Sequence, residues 1–114
     1  NRPAGEVEEL SLADRRSRIY RTTLEVNGAR DWINRRRNDD PWMATVSFSA
    51  DHTPFQCPPD RLLSRASRVG NNALDCLNPL EQRAVSDRMI EAMDRELGRL
   101  LVETGMARRT RGGR

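Results

Sequence analysis

The residues most able to do chemistry are crowded into one stretch, SFSADHTPFQCPPDR, spanning positions 47–61. It holds the only histidine of the chain, His52, one of the two cysteines, Cys57, and three of the six prolines. An imidazole in a substrate cleft can donate a hydrogen bond to an anionic oxygen or protonate a leaving group. Five residues on, Cys57-Pro58-Pro59-Asp60-Arg61 spells Cys-x-Pro-x-Arg, a pattern that can mark a catalytic nucleophile. The plain alternatives are an exposed histidine and a proline-rich surface loop.

The elements that must position these residues come from a chain of 114 residues, enough for one small domain with a modest core. Only 36% of the residues are hydrophobic and 4% aromatic. The net charge of +3 arises from 20 basic and 17 acidic side chains, and there is no lysine. Arginine pairs with planar oxyanions better than lysine does. The arginines at 35–37 and 108–114 are not interleaved with aromatic residues, as a base-stacking surface needs, which argues against nucleic acid. No run approaches the roughly 18 apolar residues of a membrane span, and the acidic, polar start carries no signal-peptide pattern. Cys57 and Cys76 fit no zinc pattern; one disulfide and two free thiols remain equal readings.

Ser11 is placed as the N-cap of a short helix. Ile19, Thr22, Val26, Ala29 and Ile33 recur at helical spacing, which predicts a helix over 19–37. Arg30, Arg35, Arg36 and Arg37 near its end complement the helix dipole. Asn38-Asp39-Asp40-Pro41 breaks it. The apolar run 42–48, flanked by breakers, reads as one buried strand of a parallel sheet. The fold class expected is therefore α/β, mostly helical, with His52 just past the strand's carboxyl end, where such sheets bind ligands. Residues 61–69 read as a short helix and 70–72 as a loop. Asn78 as N-cap and Pro79 at the first helical position open a helix over about 80–104. Its apolar stripe is Val85, Met89, Met93, Leu97, Leu100 and Leu101, supported by Ile90, and Gly105 ends it. Residues 106–114 read as a basic, flexible tail.

Four blocks taken together resemble the sulfatases, the arylsulfatase-like members of the alkaline phosphatase superfamily. They are Tyr20-Arg21-Thr22-Thr23, Ala29-Arg30-Asp31-Trp32-Ile33, the run 40–55 ending in Ser49-Ala50-Asp51-His52-Thr53-Pro54-Phe55, and the run 89–101. The resemblance covers residues 20–105 and implies a partial sulfatase-like domain, a sheet-and-helix fragment of a larger hydrolase. It implies that His52 contacts the sulfate ester and helps the leaving group depart. In the family the formylglycine signature lies well N-terminal of this region, so Cys57 is not the nucleophile on this reading. Asp51 stands where the family often has proline.

For the parent enzyme the resemblance implies calcium and formylglycine, with neither the metal ligands nor the nucleophile assignable to these 114 residues. The segment is then inactive alone, and its partners are the remainder of the parent domain and a sulfate-ester substrate. The parent's compartment is open, periplasmic, secreted and cytoplasmic alike. Two rivals stand beside this reading: a phosphatase or phosphonate hydrolase of the same superfamily, and a small arginine-rich binding module without catalysis.

Overall fold

The computed structural model describes residues 8–36 and 40–109. Two helices dominate, α1 (Arg21–Asn34) and α2 (Gln82–Glu103), packed on one another. Short 3₁₀ turns occupy Arg15–Arg18, Asp60–Leu62, Arg65–Ser67, Gly70–Asn72 and Pro79–Glu81.

The ends of α2 follow from local chemistry. The Asn78 side chain accepts from the Leu80 N–H at 3.0 Å, and Pro79 has no amide hydrogen to leave unsatisfied. The chain passes through the 3₁₀ turn into α2. At the other end Gly105 takes φ +77°, and the N–H groups of Met106 and Ala107 return to the Leu101 carbonyl at 2.9 and 3.0 Å. A left-handed glycine that turns the chain back onto its last carbonyls is a common helix stop. α1 has no side-chain cap and ends when the Arg35 and Arg36 amides fold back onto Trp32 and Ile33.

The core between the helices is thin. Val26 of α1 and Val85, Met89, Ala92 and Leu100 of α2 are buried, and Leu62 and Leu63 of the connecting loop cluster with Ala92, with Tyr20 and Val69 against them. Thr22 and Glu96 are buried in the same layer. The radius of gyration is 16.1 Å, against about 13 Å for a compact chain of this length.

The α/β expectation is overturned. Among the described residues there is no strand and no sheet, and the run 42–48 is not a buried strand. Met43 is 84% exposed, and among the described residues no backbone hydrogen bond involves 42–48. A strand exists only through a neighbouring ladder, and an apolar run by itself supplies none. The segment instead leans on α1, with Trp42 edge-on to Trp32 at 6.0 Å and the Arg36 guanidinium 4.1 Å from the Trp32 ring centre.

Smaller expectations also shift. Asp14, not Ser11, caps the first turn, its carboxylate accepting the Arg16 N–H at 2.8 Å. The helix expected over 19–37 is shorter, Arg21–Asn34, with Ile19 exposed; Arg37, Asn38 and Asp39 lie outside the described residues. The stretch 61–72 forms 3₁₀ turns rather than a helix and a loop. The buried line of α2 is Val85, Met89, Ala92, Glu96 and Leu100, while Ile90, Leu97 and Leu101 are exposed. Of the tail, residues 110–114 lie outside the described residues.

Candidate functional site

His52 closes a tight turn. Its N–H donates to the Ser49 carbonyl at 3.1 Å, and Asp51, the third turn residue, has φ +67°. A β-turn with a left-handed third residue favours Gly or Asn; Asp tolerates the region because its short side chain bonds locally. Proline, fixed near φ −65°, cannot stand there. The loop around His52 therefore differs from one that carries proline at this place.

Three contacts fix the turn and its continuation. The Ser49 N–H lies 3.2 Å from both carboxylate oxygens of Glu25 on α1, and the Ser49 hydroxyl donates to the same group. The Ser86 hydroxyl of α2 donates to the Asp51 carboxylate. Cys57 is joined to Cys76 by a disulfide, with Cα atoms 5.5 Å apart. The Thr53–Pro54 peptide is cis.

The His52 side chain is exposed, and its Nδ1 lies 2.7 Å from the Thr53 carbonyl oxygen. A carbonyl oxygen can only accept, so Nδ1 carries the hydrogen and Nε2 is the free ring nitrogen. His52 lines a cleft of about 330 Å³ with Arg21, Tyr20, Phe48, Gln56 and Met89. Among the described residues no acidic one lies in its wall. Arg21 is 3.4 Å from Glu25, but its side chain is two-thirds exposed, and such pairs hold weakly. The cleft thus presents an imidazole and a guanidinium, the guanidinium loosely paired with Glu25, which is not among the wall residues. Burial pushes the Tyr20 phenol up, aided by the Glu25 and Glu96 charges and opposed by the Thr22 hydroxyl. The phenol oxygen is buried, with no partner in hydrogen-bond geometry among the described residues.

Cys57 stands apart from this chemistry. Its sulfur is bonded to Cys76, so it has no thiol to oxidise or to attack with. Among the described residues no three His, Cys, Asp or Glu side chains converge on a point that could hold a metal ion. The residues present therefore fit neither a calcium site nor a formylglycine, and no chemical step is derived through either.

The sequence pattern singles out His52, and the fold places it in a cleft. It gives no role to Arg21, although Arg21 falls in the Tyr20-Arg21-Thr22-Thr23 block. Glu25 and Ser86 act on the loop from separate helices, and nothing in their spacing announces it. No family pattern, characterised protein or solved structure matches the chain.

Proposed function

We propose that this chain is a segment of a sulfuric ester hydrolase, and that His52 binds the ester and protonates the departing oxygen. The observation that carries the reading is the orientation of the ring. With Nδ1–H spent on the Thr53 carbonyl, Nε2 is the nitrogen left for a ligand, in a cleft shared with Arg21 whose described wall residues include no carboxylate. In the protonated ring Nε2–H donates to the bridging oxygen of the ester. As the S–O bond breaks, its electron pair goes to that oxygen and the His52 proton follows it. Arg21 offers planar donors to the non-bridging oxygens. The four-block resemblance supports sulfate as the group held. The attacking group is not supplied by these residues, so the segment alone binds without turning over.

The test exploits the single histidine, whose ring resonances need no assignment. The 114-residue chain is titrated with sodium sulfate, and separately with phosphate, at constant ionic strength. Sulfate should move the His52 ring signals saturably, and Arg21→Ala should weaken the effect. Ring signals indifferent to sulfate would sink the reading. A response to phosphate alone would favour a phosphatase or phosphonate hydrolase instead.

A further inference from the structure

A second cleft, of about 490 Å³, adjoins the first: Tyr20 and Gln56 stand in the walls of both. Its wall also holds Arg18, Arg61, Ser17 and Cys57, and no acidic residue among the described residues. Several arginines of this chain are neutralised by carboxylates. Arg16 pairs with Glu8 and Asp14, Arg30 with Asp31 and Glu103, and Arg99 with Glu96 and Glu103. In two other clefts an aspartate stands beside the arginines, Asp40 beside Arg35 and Arg36 and Asp87 beside Arg83, whereas the His52 cleft holds Arg21 with no acidic residue among the described residues of its wall. Arg18 and Arg61 stand together in the wall of the second cleft. Neither pairs with a carboxylate among the described residues, and Arg61 spends one nitrogen on the Thr23 hydroxyl at 3.3 Å. Arg61 also follows a disulfide-anchored Cys57-Pro58-Pro59, which limits the freedom of its backbone.

We propose that this second cleft is a specificity site for another anionic group on the substrate, a sulfate or a carboxylate, carried beside the ester held at His52. The chemical class is a multiply anionic sugar sulfate. Two guanidiniums supply the charge, while the Ser17 hydroxyl and Gln56 amide suit the sugar's hydroxyls. The inference rests on the reading of His52 as the ester-binding group, because it takes the shared Tyr20–Gln56 wall as the bridge between the two anionic groups.

The experiment is calorimetric titration of the 114-residue chain with a monosulfated disaccharide, its disulfated counterpart, and a monosulfated disaccharide containing a uronate. The disulfated and uronate sugars should bind about fivefold more tightly than the monosulfated one, as expected for one exposed charge pair. The gain should shrink as salt is raised. A gain with only one of the two identifies the second group as sulfate or carboxylate. Arg18→Ala and Arg61→Ala should each remove the gain and leave the monosulfated affinity unchanged. Arg61→Lys, which keeps the charge, should retain much of it and so separate charge from loss of fold. Equal affinities for all three sugars, no binding of any, or a gain that survives both alanine substitutions overturns the proposal. His52→Ala should weaken all three sugars together. If His52→Ala changes nothing while the arginine effects persist, the reading of His52 falls and the arginine cleft stands as an anion site on its own.

Discussion

The Ser86 hydroxyl on α2 donates to the Asp51 carboxylate, one residue before His52. Asp51 holds φ +67°, so one residue both turns the chain and ties the turn to the helix beneath it. Glu25 performs the same service from α1 at Ser49. The candidate site is thus hung between the two helices rather than built on either.

Substitutions at Asp51 should separate the turn from the tether. Asp51→Gly keeps the left-handed conformation at little steric cost and should leave stability within about 1 kcal/mol of wild type. Asp51→Pro cannot adopt φ +67° and should cost about 3 kcal/mol or more. Urea denaturation of the two variants checks the order, and the His52 ring resonances report whether the turn is lost. A proline variant as stable as wild type would mean that the turn described here is not the one the chain adopts.

What the sequence makes legible is what local chemistry decides. Asn78-Pro79 and Gly105 bracket α2 because capping and chain reversal need only a few adjacent residues. His52 is legible as the one imidazole in a proline-braced loop. The run 42–48 misleads because its apolar composition describes a strand's surroundings, which other segments must provide. Glu96 misleads in the opposite way. Its charge argues for a solvent-facing side, yet it is 1% exposed, because Arg99 one turn on satisfies it at 2.6 Å. The roles of Glu25, Ser86 and the Arg18–Arg61 pair depend on distant segments meeting, and no spacing rule reaches that far.

Glu96 should be the most sensitive polar position of the core. Its carboxylate takes two nitrogens of Arg99, whose Nη2 also donates to Asn27 of α1 at 2.8 Å. Arg99 further approaches Glu103 at 3.3 Å, and Glu103 pairs with Arg30 of α1 at 2.8 Å. Glu96→Ala leaves a cavity and a mostly buried guanidinium with only its longer Glu103 contact and the Asn27 hydrogen bond, and should cost about 3 kcal/mol. Glu96→Ala with Arg99→Ala should cost less than the two single changes summed, because the pair is one interaction. A double-mutant cycle from denaturant midpoints measures this, and strict additivity would contradict the network.

Stability should fall on the acid side through Glu91 and Glu103. Burial pushes the Glu91 carboxyl up, but the hydrogen bond from the Ser64 N–H, with the Ser67 and Ser64 hydroxyls and Arg95 nearby, outweighs it and holds it below its usual 4.5. For Glu103 the Arg30 hydrogen bond comes first, opposed by burial and reinforced by Arg99, and it too is held low. A carboxyl with a depressed folded pKa stabilises the fold above its unfolded value, and that contribution is lost as pH falls through the folded one. Thermal melts should therefore drop below about pH 4.5. Glu91→Gln should start lower at neutral pH and show a shallower acid limb than wild type. An unchanged acid limb would show that Glu91 is not held low.

The disulfide should matter more to the second cleft than to the first. Cys57 and Cys76 close a loop of 19 residues in sequence, and between them only Pro58, Leu62 and Leu63 are buried. Closing such a loop restricts the unfolded chain and is worth about 3 kcal/mol, or roughly 10 °C in Tm for a domain of this size. Cys57→Ser with Cys76→Ser, or reduction of the wild type, should produce that loss. The loosened segment carries Pro59 and Arg61, which wall the arginine cleft, whereas the His52 turn keeps its ties to Glu25 and Ser86. Amide exchange should accordingly quicken across residues 58–75 and stay nearly unchanged at the 49–52 turn. Equal loss of protection in both places would mean that the disulfide, and not the two helices, holds His52 in position.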